Sequence, residues 1–355
     1  MIKYILVLQF LLCISPLLPA QVETAEWPQK LFASDKPLRF SLVVDIKTLK
    51  NDESENPEYT KGQMIWHREN EEDVIFHIEA RARGKSRRLF DFCHFPPLKL
   101  NFKKKEVAGT LFEGQDKLKL VSYCRDVDLY QSYVLQEYLI YKLYNCLTPN
   151  SFRVRLAHIT YTDLNDKSKE VTRYGFLIED DDIMAARNGA VISETLLPHQ
   201  DRCDLATLDI FTLFQYMIGN TDWWIAAPKM HNIKLIEFDG KLPVPVPYDF
   251  DYCGAINANY AVPTADLPIK SVRERYFIGY CRVRGGYETT VALFNEKRNT
   301  IYDLYRQFDL IDEKSKKMIL AYFDRFYKTI NNPKQLEKKI YNNCQVSHNH
   351  LHHAR

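Results

Sequence analysis

The chain has 355 residues, with 48 Lys+Arg against 46 Asp+Glu and 46% hydrophobic content. A net charge of +2 argues against nucleic acid as the main partner, because neutralising a phosphate backbone needs a concentrated basic surface. With 22 Tyr, 20 Phe and only 12 Gly, the composition is that of an ordinary globular protein with a large core, not a disordered or low-complexity chain.

Residues 1–20 read as a secretory leader. Lys3 opens it, an apolar run spans Ile5–Ile14, and Ala20 supplies a small residue at the cut. That run is too short for a comfortable membrane span, and no later stretch is long enough. The expectation is an exported protein, periplasmic or extracellular, without a transmembrane segment. Residues 21–36 form a polar, Pro-interrupted lead-in. Arg39–Ile46, Gly62–His67, Val74–Arg83, Leu98–Phe102 and Lys117–Tyr123 read as strands, with an acidic loop at Asn51–Glu58. In the clearest strand, Phe76, Ile78, Ala80 and Ala82 share one face, and His77, Glu79, Arg81 and Arg83 the other.

Leu129–Leu147 reads as a helix that is apolar almost all round, hence buried on most sides. Phe152–Thr162 and Val171–Ile178 are two further strands, and Glu179-Asp180-Asp181-Asp182 a solvated bend. Cys203–Gly219 is a helix capped by Asp204 and ended at Gly219-Asn220. Short strands at Asn232–Glu237 and Pro243–Asp251 flank the turn Asp239-Gly240. Helices at Thr289–Asp309 and Glu313–Asn331 follow, and residues 336–355 form a polar tail. The expected architecture is a two-lobed α+β protein: a strand-rich N-lobe over 37–182 containing helix 129–147, and a mostly helical C-lobe over 183–335. The boundary falls near Glu179–Arg187, with a cleft between the lobes.

Seven of the eight cysteines follow the leader, none in a CxxC pair, which argues against structural zinc. The expected disulfides are Cys93–Cys124 and Cys253–Cys281, with at least one thiol left free. Trp223-Trp224 reads as one core and one lip residue, the alternative being a stacking platform for a sugar or base. His348, His350, His352 and His353 read as a plain terminal tail, the alternative being a transition-metal site.

The densest polar cluster is Asn220-Thr221-Asp222, then His231-Asn232, then Tyr248-Asp249-Phe250-Asp251. These groups lie at the ends of a helix and two short strands, which can bring Asp222, Asn232 and Asp249 together. A carboxylate plus an amide oxygen suits a hard cation that also holds phosphates, while a separate carboxylate can orient or deprotonate a hydroxyl. Asp251 is a further candidate ligand. Glu137, among Tyr133, Val134, Ile140 and Tyr141 on the buried helix, needs a cationic partner. Lys119 is the choice over Lys117 or Lys99. The basic turn over residues 81–88 is either a phosphate cradle or a solvated hairpin.

This order of parts resembles a protein-kinase-like fold, and more closely the atypical kinases of the CotH spore-coat family; HipA-type kinases are a looser likeness. The Asn-x-Asp segment of those proteins reads Asn220-Thr221-Asp222 here, the later Asn is Asn232, and the Asp-x-Asp segment is Asp249-Phe250-Asp251. The turn Arg83-Gly84-Lys85-Ser86-Arg87 followed by Pro97-Leu98-Lys99 resembles the start of the CotH domain. The resemblance implies ATP or another nucleotide with Mg2+ as cofactors, and an unidentified hydroxyl-bearing acceptor as partner, a protein by the family's suggestion. It implies Arg83, Lys99, Lys119 and Glu137 at the nucleotide, Asn232, Asp249 and Asp251 at the metal, and Asp222 at the acceptor hydroxyl. No GxGxxG loop and no His-Arg-Asp triplet is present. Two rivals stand beside the kinase reading: an inactive kinase-like binding protein, and a hydrolase using Asp222 with Asp249 or Asp251 as a carboxylate pair.

Overall fold

The structure, a computed structural model, describes residues 30–84, 86–89, 92–166, 169–227 and 230–345. The leader and the four tail histidines lie outside the described residues. In the first half, alternating strands curl into a cylinder: β1 (Leu38–Val44), β2 (Thr60–Trp66), β3 (Val74–Ala82), β4 (Leu98–Phe102), β5 (Lys117–Val121), β6 (Val154–Asp163) and β7 (Glu170–Ile178). They form a closed barrel in the order β1-β2-β3-β4-β5-β7-β6. Every pairing is antiparallel except that of β1 with β6, which runs parallel from Leu38 opposite Ala157 to Val44 opposite Asp163.

The period-two pattern fills the barrel. Phe40, Leu42, Phe76, Ile78, Leu98, Leu100, Leu118, Leu120, Ile159 and Leu177 point into one buried cluster. Each such side chain stabilises the fold by roughly 1.5–3 kcal/mol on burial. Two short helices, α1 (Ile46–Asn51) and α2 (Lys104–Val107), sit in the barrel's connections.

Between β5 and β6 runs α3 (Asp128–Leu147), buried on most sides as its composition predicts. The rest of the chain supplies α4 (Asp181–Arg187), β8 (Val191–Ile192), α5 (Leu205–Ile218), β9 (Ile233–Glu237), β10 (Val244–Pro247), α6 (Glu288–Arg306), α7 (Glu313–Ile330) and α8 (Pro333–Leu336). Strands β10, β9 and β8 make a small antiparallel sheet in that order. The main core joins α3 to β6 and β7 on one side and to α5, α6 and α7 on the other. The fold is therefore mixed α+β, with a barrel rather than a simple strand-rich layer in its first half. Among the described residues, no helix is long and apolar enough to cross a membrane.

Helix α5 starts where Asp204 accepts the Thr207 N–H at 3.0 Å and stops at Gly219, whose φ of 66° is left-handed. A Cβ at Gly219 would lie 2.0 Å from the Tyr322 hydroxyl, so no other residue fits without movement. The N–H of Gly254 donates to the Gly219 carbonyl at 3.0 Å, and that of Ala255 to Ile218 at 2.9 Å. This clasp ties the segment after α5 to the segment after β10.

Cys93 and Cys124 are bonded as expected. The expected Cys253–Cys281 pair is not formed: Cys281 is bonded to Cys344, and Cys253 is a free, buried thiol. The reason is a short backbone pairing of Tyr280 with Gln345, which carries Cys344 to Cys281 while Cys253 stays in the core.

Candidate functional site

The loop after α5 is braced by its own side chains. Asn220 Oδ1 accepts the Asp222 N–H at 3.0 Å, and Asn220 Nδ2 donates to Gln215 Oε1 at 3.0 Å. Trp223 is buried edge-on against Phe211, while Trp224 is exposed and stacks on His231 with centroids 4.3 Å apart. The tryptophan pair is thus core and lip. Asp222 Oδ1 lies 3.0 Å from His231 Nε2, and Oδ2 accepts from Asn232 Nδ2 at 3.0 Å. Burial holds the Asp222 carboxyl above its ordinary pKa; His231 opposes this and the charge of Asp249 adds to it. Asp222, Asn232 and Asp249 therefore share one neighbourhood.

Asn232 and Asp249 have φ of 55° and 64°, in the region that non-glycine residues avoid. Such strain gathers at functional positions. After β10 the chain alternates: the Phe250 ring packs between Tyr141 and Phe214, and the two aspartates turn toward Arg87. The Asp249 N–H donates to the Tyr141 hydroxyl at 2.9 Å. Arg87 Nη2 lies 3.0 Å from Asp249, 2.5 Å from Asp251 and 3.7 Å from Glu137. Burial lifts the Glu137 carboxyl to about 8, with Arg87 opposing, and burial likewise raises Asp251 against Arg87.

The expected Lys119–Glu137 pair does not form. Lys119 bonds Asp181, whose other oxygen lies 3.1 Å from Lys234 Nζ. The register explains this: Lys119 stands opposite Ile178 at the end of β7, and the chain passes from there directly into α4, delivering Asp181 to the lysine. Glu137 is almost fully buried and takes Arg87 instead. Burial alone would raise the Asp181 carboxyl, but the two lysines hold it below its ordinary value.

The acidic run is not a solvated bend. Glu179 is buried and receives Arg187 Nε at 2.9 Å and Nη2 at 3.1 Å; Asp180 caps α4 by accepting the Asp182 N–H. Nor is the basic turn a simple solvated hairpin, since Arg87 is turned inward onto the carboxylates.

These groups enclose a cavity of about 230 Å³ lined by Arg83, Lys119, Glu137, Tyr141, Phe152, Ile178, Asp181, Lys234, Tyr248 and Asp249. Of the sequence candidates, Arg83, Lys119, Glu137 and Asp249 line it. Asp222 and Asn232 are joined beside Asp249, and Asp251 lies behind Arg87. Lys99 stands in register between Arg81 and Lys119 and does not line the cavity.

Sequence reasoning assigned no site role to Asp181, His231 or Lys234, and placed Arg87 only within the basic turn. Two of these had a signal. Lys234 alternates with Ile233 and Leu235 on a short strand, which turns it to the face opposite those two apolar residues. Asp180, followed by two acids and Ile183-Met184-Ala185-Ala186, carries the signature of a helix start.

Among the described residues, no group of three His, Cys, Asp or Glu side chains is arranged to hold a metal ion alone. No protein-family model matches the chain, and no curated protein is similar to it. The functional reading rests on the geometry.

Proposed function

We propose that the protein is an exported phosphotransferase of the CotH-like kinase type, in which the barrel with α3 and the helical half act as the two lobes. The observation that carries this reading is Asp249, held left-handed at a cavity whose cationic groups are Arg83, Lys119 and Lys234, with the Asp222–Asn232 pair beside it. Cations for phosphates, a strained carboxylate for a cation and a separate, partly basic carboxylate are the parts that phosphoryl transfer needs.

The acceptor oxygen attacks the terminal phosphorus of the nucleotide, the bond from that phosphorus to the nucleoside diphosphate breaks, and the hydroxyl proton passes to Asp222. His231 and Asn232 hold the Asp222 carboxylate in one orientation for that role. Asn232 uses Nδ2 on Asp222, so its Oδ1 is the atom that can meet a cation, together with Asp249. This oxygen set fits Mg2+, which takes one or two protein groups and the substrate's phosphates; when bound it supplies neutralisation of phosphate charge. Asp251, held by Arg87, fits a positioning role better than direct ligation. Two disulfides suit an oxidising compartment.

Thermal unfolding with ATP or ADP, with and without Mg2+, tests the reading. A Mg2+-dependent rise in melting temperature, abolished in Asp249→Ala, is the expected result. No shift with any nucleotide at millimolar concentration would sink it.

One observation favours a second reading, a non-catalytic kinase-like binding protein: Arg87 already neutralises Asp249 and Asp251. In that case nucleotide binding, where present, is independent of Mg2+. For the carboxylate-pair hydrolase, Asp249 suits the partner role of Asp222 better than Asp251, which is buried against Arg87.

A further inference from the structure

The cavity that holds Asp249 is small and unevenly charged. At about 230 Å³ it falls below the roughly 300–1,000 Å³ of sites that enclose a drug-sized ligand. A whole nucleotide cannot be enclosed there, so only part of one is gripped. The charge says which part. Lys119 and Lys234 share a single carboxylate, Asp181, and Arg83 adds a third cation; the other lining acids, Glu137 and Asp249, face Arg87 outside the lining, at 3.7 and 3.0 Å. Such cations recognise phosphate oxygens.

Recognition of a base needs hydrogen-bonding groups aimed at its edge. Among the described residues, the lining includes no Asn, Gln, Ser or Thr side chain. Two backbone N–H groups where β7 passes into α4 are engaged elsewhere: that of Glu179 donates to the Arg153 carbonyl at 3.0 Å, and that of Asp182 to Asp180 Oδ1 at 3.0 Å. The Tyr141 hydroxyl accepts from Asp249. What remains on the uncharged side is Phe152, Ile178 and Tyr248; ring and aliphatic faces accept any base alike, and the Tyr248 hydroxyl, a rotor that donates or accepts, does not select one base edge over another.

We infer that this site recognises a phosphate chain and not a nucleobase, so that its ligand is the Mg2+ complex of a triphosphate of any nucleoside, or the inorganic chain alone. The inference rests on the phosphotransferase reading above and specifies the donor of that same site.

Calorimetric titration of the full chain, with Mg2+ present, tests it using ATP, GTP, CTP, inorganic triphosphate and adenosine as separate ligands. The three nucleotides are expected to bind within about threefold of one another, since stacking differs little among bases. Inorganic triphosphate binds within about tenfold of them, and adenosine does not bind, because charge-assisted contacts carry the affinity. Lys234→Gln, at a partly exposed position, weakens every triphosphate by a similar factor of about ten. The ligand comparison uses the unaltered chain and does not depend on how the variant folds. A preference for ATP over GTP and CTP beyond about tenfold, or binding of adenosine alone, overturns the inference and leaves the phosphotransferase reading standing. Equal binding of the nucleotides without inorganic triphosphate overturns the sufficiency of the chain alone. Failure of every ligand to bind overturns both readings.

Discussion

At the guanidinium of Arg87 three carboxylates meet, and two of them, Glu137 and Asp251, are almost inaccessible to water. Removing one partner of a buried ion pair leaves the other charge uncompensated, which costs about 3–5 kcal/mol. Arg87→Ala is therefore expected to lose stability on that scale in urea unfolding at neutral pH. A loss below about 1 kcal/mol, the range of surface pairs, would contradict the buried arrangement. Glu137 gives a pH signature with a definite sign. Its carboxyl is lifted from 4.5 to about 8, so between those values the native state keeps a proton that the unfolded chain has lost. Stability is then fully present below the lower value and falls as pH rises through the upper one. In Glu137→Gln, which stays neutral, the decline in melting temperature over that window should flatten; parallel curves for the two proteins would count against a protonated Glu137. That Glu137 is buried and needs a cation was legible from sequence; which cation was not. Lys119 sits between two leucines and Arg87 within a basic turn, and the register of β5 against β7, which sends Lys119 to Asp181, is not written in either neighbourhood.

Elements were easier to read than partners. Helix α5 was legible at both ends because capping is local: Asp204 and Gly219 mark it without help from the rest of the fold. Strand β3 was legible from its two faces, and α3 from apolar residues on every side. The partners of Asp181 were hidden because an acidic run resembles a solvated bend until the helix behind it is seen. The clasp between Gly219 and Gly254 makes its own prediction. Gly219→Ala places a methyl in a left-handed position, at about 1 kcal/mol, and against the Tyr322 hydroxyl, which adds to that. The denaturation midpoint should fall. Tyr322→Phe removes a buried hydroxyl that has no hydrogen-bond partner among the described residues, so in its background Gly219→Ala should cost measurably less. An equal cost in both backgrounds would place the strain elsewhere.

For the molecule as a whole, two disulfides close loops of 31 and 63 residues in sequence separation. Each is expected to contribute about 3–4.5 kcal/mol by restricting the unfolded chain. Their consequences differ by place. Cys124 lines a small void with Arg87, Glu137 and Tyr260, so Cys93→Ser/Cys124→Ser should disturb Mg2+–nucleotide binding as well as stability. Cys281→Ser/Cys344→Ser should lower the melting temperature and leave binding intact. Matching losses of binding in the two double variants would sever the link between the first bridge and the site. Barrel closure was the other global fact hidden from sequence, since local alternation names the strands and their faces but not which two of them meet last.

That closure sets an order of events for the growing chain. β1 is bordered on one side by its neighbour β2, but its other edge can pair only with β6, which lies beyond the whole of α3. Until that later segment has emerged, β1 presents a row of unsatisfied N–H and C=O groups able to pair with another chain. Long-range parallel pairing is slow to form and leaves such edges open to aggregation. The barrel is thus a product of the completed N-terminal half, and a chain interrupted within α3 would hold five of the seven strands, with β1 and β5 as open edges in search of the two still to come.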